Sequence, residues 1–163
     1  MTQAMATTTR TTPDLAPPEG GDADRRPLRP AERVLIALEG FMAVCGLAGG
    51  LYMASHPTTT MPLRYLDGTW FHTWRWPGVA LAFFVGVCPA VVAGATWRRR
   101  PAATIGHVAV GLGLVAWILL EAAWVVVSPA LQITVGLVGV VILVLGTREW
   151  VRSGFRSRPR PPT

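Results

Sequence analysis

Residues 103–127 read ATIGHVAVGLGLVAWILLEAAWVVV, and only His107 and Glu121 within this stretch carry a titratable side chain. A bilayer core about 30 Å thick is crossed by roughly 20 residues of helix, because each residue rises about 1.5 Å. The stretch is therefore long enough and apolar enough to cross a membrane. It lacks the alternation of apolar and polar residues that is typical of a transmembrane β-strand.

Three further stretches have the same character. The predicted spans cover approximately residues 34–54, 77–97, 103–127 and 130–148. Over the whole chain of 163 residues, 51% are hydrophobic and 15% charged, and the mean hydropathy is +0.40. This composition is unusual for a water-soluble domain and leaves too little polar chain for a separate catalytic domain. We predict an all-α fold, a four-transmembrane-helix bundle with disordered N- and C-terminal tails.

The predicted organisation has three parts. Residues 1–32 are rich in Thr, Pro and Gly, with almost nothing to bury, and are expected to form a disordered cytoplasmic tail. Residues 33–150 form the membrane domain, and residues 151–163 form a basic cytoplasmic tail. Because no short apolar signal-peptide region precedes the first span, this span is expected to act as an uncleaved insertion signal.

The distribution of arginines predicts the orientation. Only Arg64 and Arg75 lie in the first loop, whereas twelve arginines flank the spans on the opposite side. By the positive-inside rule, both termini face the cytoplasm of a bacterial plasma membrane. The twelve arginines are expected to attract anionic lipid headgroups. We attribute the net charge of +6 to this arrangement of arginines around the spans, and we predict no nucleic-acid partner. The twelve are Arg25, Arg26, Arg29, Arg33, Arg98, Arg99, Arg100, Arg148, Arg152, Arg156, Arg158 and Arg160.

Small residues predict the faces by which the helices pack, because close approach and polar contacts drive helix association in lipid. At about 100° per residue, each span has one stripe of small and polar residues. Pro89 in the second stripe has no N–H and is expected to kink its helix. In chain order the stripes are Glu39, Gly46, Gly50 and Met53; Ala82, Gly86, Pro89 and Ala93; His107, Gly111, Leu114, Ile118 and Glu121; and Gln132, Gly136, Gly139, Leu143 and Gly146.

Four polar residues in these stripes are candidates for intramembrane contacts. Glu39 and His107 are predicted at similar depth, near the cytoplasmic ends of their helices, and a contact between them is allowed. Glu121 is predicted near the outer end, close in depth to Gln132 and to Arg75. Such residues form either a proton or cation relay or interhelical hydrogen bonds that fix the packing. We favour the packing role.

No residue is predicted to be catalytic, to bind a cofactor or to bind a metal. Cys45 and Cys88 both fall near the bilayer midplane, and a disulfide is the alternative to two buried thiols, but a thiol oxidoreductase needs a further cysteine pair. His56, His72 and His107 are not at ligand spacing with the cysteines.

Aromatic residues crowd the end of the first loop. They are Trp70, Phe71, His72, Trp74 and Trp76. We interpret them as an aromatic belt at the lipid–water interface, and the alternative is a lid that captures a ligand.

Three short motifs resemble those of a broad, uncharacterised group of small bacterial four-helix integral membrane proteins. Residues 66–71 (LDGTWF), followed by Pro77 and Gly78, resemble its pattern L-x-G-T-x-F…PG at the start of the second helix. Residues 117–121 (WILLE) resemble W-I-x-x-Q, with Glu121 in place of the more usual Gln, and residues 131–136 (LQITVG) resemble L-Q-x-x-x-G. The likeness covers approximately residues 33–150. It implies a bacterial plasma-membrane bundle and names no activity.

These observations favour a small polytopic membrane protein that is not an enzyme and acts as a scaffold or accessory subunit. The expected partners are the lipid bilayer and either a second copy of the chain or another membrane protein. The alternative is an oligomeric proton-coupled transporter of small molecules that uses Glu39 and Glu121. A membrane enzyme acting on lipids or thiols is less favoured, because no nucleophile–base arrangement is visible.

Overall fold

The computed structural model describes residues 27–124 and 129–156, and over these residues it contains four long helices and no strand. All four are long and apolar enough to cross a membrane. The predicted all-α, four-helix fold is therefore confirmed. The helices are α1 (Pro30–Ser55), α2 (Arg75–Trp97), α3 (Ala103–Trp124) and α4 (Pro129–Arg156).

The first and last helices extend beyond the predicted membrane domain. Helix α1 begins at Pro30, which suits a first helical position because its missing N–H needs no partner there. Its start is capped by Glu32, whose carboxylate accepts a hydrogen bond from the backbone N–H of Arg29 at 2.7 Å. Helix α4 continues to Arg156. Most of both predicted tails, and the end of the third predicted span, lie outside the described residues.

Helix α2 changes its winding in the middle. Its segments Arg75–Leu81 and Cys88–Trp97 are α-helical, and Ala82–Val87 between them is π-helical. In this wider turn the N–H of Cys88 donates to the carbonyl of Phe83, five residues back. The ring of Pro89 would clash with the carbonyl four residues before it in a regular α-helix. The structure therefore has a π-helical turn where the sequence predicted a kink.

Helices α1 and α2 form one hairpin through glycines that lie backbone against backbone. A Cβ atom on Gly46 would lie 2.5 Å from the carbonyl carbon of Val85. One on Gly50 would lie 2.6 Å from the carbonyl oxygen of Gly78, on the same stripe of α1. The predicted small-residue face of α1 is therefore the face that packs on α2.

Helices α3 and α4 form the second hairpin in the same way. A Cβ atom on Gly111 would lie 2.5 Å from the backbone nitrogen of Leu143, and one on Gly146 would lie 2.7 Å from the Cβ of His107. Each hairpin makes more contacts within itself than with the other hairpin. The molecule is thus a pair of tightly packed helical hairpins, with its apolar core drawn from both: Leu35, Met42, Val85, Val110, Leu114 and Ile142.

The loop between α1 and α2 is folded back on itself around Trp74. The indole N–H of Trp74 donates to the carbonyl of Met61 at 3.1 Å, and its backbone N–H donates to the carbonyl of Pro57 at 2.9 Å. Only 5% of Trp74 is exposed, so its assignment to an interfacial belt is wrong. Trp70, with 95% exposed, and Trp76 point outward as such a belt requires.

Both cysteines are free thiols, as the sequence favoured, but they are less buried in the bundle than expected. Cys45 is exposed on the outside of the bundle, Cys88 is half-buried, and neither is in a disulfide. Cys45 precedes Gly46, and a one-residue step rotates a side chain by about 100° on a helix. Because Gly46 faces α2, Cys45 faces away from it.

Candidate functional site

The polar centre of the bundle joins α1 to α3. The Nδ1 atom of His107 lies 2.6 Å from the Oε1 atom of Glu39, and both side chains are buried. The structure thus brings together two of the four polar residues selected from the sequence. A hydrogen bond between two helices that is shielded from water holds them at a fixed depth and rotation.

Thr96 on α2 adds a third helix to this contact. Its hydroxyl lies 3.1 Å from the Nε2 atom of His107 and donates to the carbonyl of Val92 at 2.8 Å. The hydroxyl has a single proton, which goes to Val92, so it accepts a hydrogen bond from the Nε2–H of His107. We call Glu39, His107 and Thr96 the polar network.

This hydrogen-bond pattern determines how many protons the polar network holds. With a proton on Nε2 of His107, the bond to Glu39 holds one more proton, either on the carboxyl oxygen or on Nδ1. Both arrangements leave the pair without net charge, as burial requires. The second carboxyl oxygen of Glu39 is buried and accepts no hydrogen bond.

The polar network lies below a small cavity at the basic end, the end of the bundle at which Arg29, Arg99 and Arg152 lie. The cavity has a volume of about 250 Å³ and extends inward to His107 and Thr96. Arg29, Arg99 and Arg100 line the same cavity. The lining residues are Leu28, Arg29, Glu32, Thr96, Arg99, Arg100, Pro101, Ala103, Thr104, His107, Glu149 and Ser153.

Ion pairs connect α4 to the start of α1 at the same end. The guanidinium of Arg29 lies 3.0 Å from the carboxylate of Glu149, which is itself mostly buried. Arg152, one turn further along α4, donates to the other oxygen of Glu149 at 3.2 Å. The two hairpins are therefore linked at the basic end by this ion pair as well as by the polar network.

A larger and mostly apolar cavity lies at the opposite end, beneath the first loop. This loop-end cavity has a volume of about 570 Å³ and is walled by all four helices and by the aromatic loop. Glu121 is its only charged lining residue among those described. The lining residues are Met53, Met61, Leu66, Thr69, Trp70, Phe71, Trp74, Pro77, Leu81, Val85, Trp117, Ile118, Leu120, Glu121, Leu131, Gln132 and Val135.

The other two predicted polar residues line this second cavity. Glu121 is half-buried, and Trp117, one turn earlier on α3, lines the same cavity. Gln132 is half-buried at the start of α4. Arg75, considered above as a partner for Glu121, is exposed, and no ion pair joins the two within the described residues.

Apolar side chains separate the two polar regions. His107 and Glu121 lie about 21 Å apart along the axis of α3, at about 1.5 Å per residue. Val110 and Leu114, which belong to the apolar core, lie between them on the buried face. The structure therefore places Glu39 with His107 at one end, and Glu121 with Gln132 at the other.

Two contributing residues, Thr96 and Glu149, were not selected from the sequence. Thr96 follows Ala93 by three residues and so continues the small-residue stripe of α2, which is the signal that could have revealed it. Glu149 lies just beyond the fourth predicted span, where a carboxylate next to several arginines is ordinarily solvated. Its burial depends on Arg29, which is distant in sequence.

Within residues 27–124 and 129–156, no group of three or more His, Cys, Asp or Glu side chains is placed to hold a metal ion. Comparison with protein-family models, with curated proteins and with solved structures gave no match to this chain.

Proposed function

We propose that this polytopic membrane protein acts without catalysis, as a scaffold or accessory subunit, in a bacterial plasma membrane. The observation that supports this role is the polar network, in which Glu39, His107 and Thr96 connect three helices. Each of these groups is used in holding the bundle together. A rigid bundle that presents apolar faces to its surroundings is suited to contact a second copy of the chain or another membrane protein.

The same proposal places the basic end in the cytoplasm. Arg33, Arg98, Arg99 and Arg100 are exposed there, as is Arg148. Each exposed Arg near an anionic bilayer surface contributes about 1 kcal/mol of attraction. We therefore include anionic lipid headgroups among the expected partners.

The competing function is an oligomeric proton-coupled transporter that uses Glu39 and Glu121. A relay between these carboxyl groups would have to pass the apolar core, where Val110 and Leu114 offer no hydrogen-bonding group. This separation is the reason for preferring the scaffold role.

Two experiments separate these functions. In-membrane crosslinking of the tagged full chain, followed by purification in mild detergent, should give a discrete complex with a second copy or a defined membrane protein. A complex that fails to form with folded wild-type protein contradicts the scaffold role. In proteoliposomes containing a pH dye, addition of tetraphenylphosphonium should move no protons beyond the leak of protein-free vesicles. A proton flux that is lost in folded Glu39→Gln and Glu121→Gln variants would establish the transporter instead.

A further inference from the structure

We infer that the loop-end cavity binds a small lipophilic cation, a compact molecule with an apolar body and one positive charge, with Glu121 as its counter-ion. The scaffold role does not require such a site. The inference depends on the size, the lining and the single charge of the cavity.

The size and lining of the cavity suit a small ligand. Ligand sites commonly have volumes of about 300–1,000 Å³ and are mainly apolar, with a few polar groups that fix orientation. The loop-end cavity, at about 570 Å³, falls within this range, and only Thr69, Glu121 and Gln132 supply polar side chains other than indoles. Trp70, Leu120 and other lining residues are also exposed, so the cavity opens to its surroundings at the rim.

The charge of the cavity selects a cation over a neutral or anionic ligand. Glu121 is the only titratable group among the described lining residues, so this lining holds no arginine to neutralise it. An ionised carboxylate in an apolar cavity at membrane depth is costly unless an opposite charge is nearby. A bound cation supplies that opposite charge. Its contact with the Glu121 carboxylate also offsets the free-energy cost of removing the cation from water.

Aromatic rings provide the second attraction for a cation. Phe71 and Trp74 from the first loop and Trp117 from α3 line the cavity, whereas Trp70 lies at its exposed rim. The face of an indole or phenyl ring attracts a positive charge, most strongly where water is excluded. Trp117 lies one turn before Glu121 on α3 and both line the cavity, so an aromatic ring and the carboxylate are close to each other.

The test is binding of tetraphenylphosphonium to the full chain in nanodiscs, measured by equilibrium dialysis. Tetraphenylborate, an anion of nearly the same size and shape, is the matched ligand. We expect saturable binding of the cation and none of the anion. We expect Glu121→Gln to weaken cation binding roughly tenfold or more, because removing one partner of a desolvated charge pair has effects of this size or larger. The binding by wild-type protein should also fall at acid pH, where a proton competes for the carboxylate.

Two further variants make the result specific to the cavity. Asp67→Asn removes an exposed carboxylate in the same loop that does not line the cavity, and should leave binding unchanged. Ile118→Trp adds bulk inside the cavity and keeps Glu121, and should also weaken binding. Circular dichroism and gel filtration of each variant establish that it is folded. Equal binding by Glu121→Gln and wild type, equal binding of the anion, or no saturable binding of the cation overturns the inference.

Discussion

At the scale of single residues, the polar network determines how three helices are held together near the basic end. The direction of its hydrogen bonds follows from one fixed donor, the hydroxyl of Thr96, which donates to a backbone carbonyl. From this donor the protonation of Nε2 on His107 and the proton shared with Glu39 both follow. Thr96, which is not ionisable, therefore determines where the protons lie on Glu39 and His107, which are ionisable.

This chain of hydrogen bonds predicts different effects of two substitutions at Glu39. In Glu39→Gln, the amide N–H can donate to Nδ1 of His107, so every ring nitrogen keeps a partner. In Glu39→Leu, which has a similar volume, Nδ1 is left unpaired inside the bundle. We expect Gln to be close to wild type and Leu to lower the free energy of unfolding by about 1–2 kcal/mol, measured in lipid–detergent mixed micelles.

The same measurement on Thr96 serves as the control for this pattern. Thr96→Ser keeps the hydroxyl and should retain most of the stability. Thr96→Val removes the acceptor of the Nε2–H bond of His107 and should lower the free energy of unfolding. Equal stability of Glu39→Leu and Glu39→Gln would show that the network does not hold the helices together.

At the scale of helices, the packing of the first hairpin depends on which side of α1 each glycine faces. Gly49 and Gly50 are neighbours in sequence, but only Gly50 faces the backbone of α2. A Cβ atom on Gly49 would meet only the end of the Leu81 side chain, at 3.9 Å. Helix association in lipid depends on close approach of backbones, so the two positions should respond differently to the same substitution.

We predict that Gly50→Ala lowers the free energy of unfolding by about 1–3 kcal/mol, because the added methyl group must push the backbones of α1 and α2 apart. Gly49→Ala is the matched control. It should be neutral or stabilising by up to about 1 kcal/mol, because Ala is the better helix former. Thermal unfolding of both variants in the same detergent makes the comparison, and a Gly50→Ala variant as stable as Gly49→Ala would contradict the backbone packing described here.

At the scale of the whole molecule, the two ends of the bundle differ in chemistry. The basic end has ion pairs, exposed arginines and the entrance to the polar network, whereas the opposite end has the aromatic loop and the loop-end cavity. A membrane with an electrically asymmetric surface would orient such a molecule in one direction.

This asymmetry predicts the accessibility of cysteines introduced at each end, in a background in which Cys45 and Cys88 are replaced by Ala. Trp70→Cys lies in the exposed part of the loop, and Ser153→Cys is exposed at the basic end. In intact spheroplasts, a membrane-impermeant maleimide should label Trp70→Cys, and it should label Ser153→Cys only after permeabilisation. The reverse labelling pattern would show that the protein has the opposite orientation, and it would remove the argument for anionic lipid contacts.

The number of helices long enough to span a membrane, and the faces by which they pack, could be predicted from the sequence alone. Both are local properties, because span length and helical periodicity are read along one segment at a time. The stripes with Gly46, Gly50, Gly111 and Gly146 lie at helix contacts for this reason. The sequence also selected Glu39 and His107, since a titratable group in an apolar span needs a partner.

Several contacts between residues could not be predicted from the sequence. The contact of Thr96 with His107, the burial of Glu149 by Arg29 and the inward turn of Trp74 all depend on the relative depth and rotation of elements that are distant in sequence. The loop-end cavity depends on them as well, because its walls come from four helices and a loop. Periodicity gives the face of each helix, but the height at which one helix lies against another is set by the packing of all of them together.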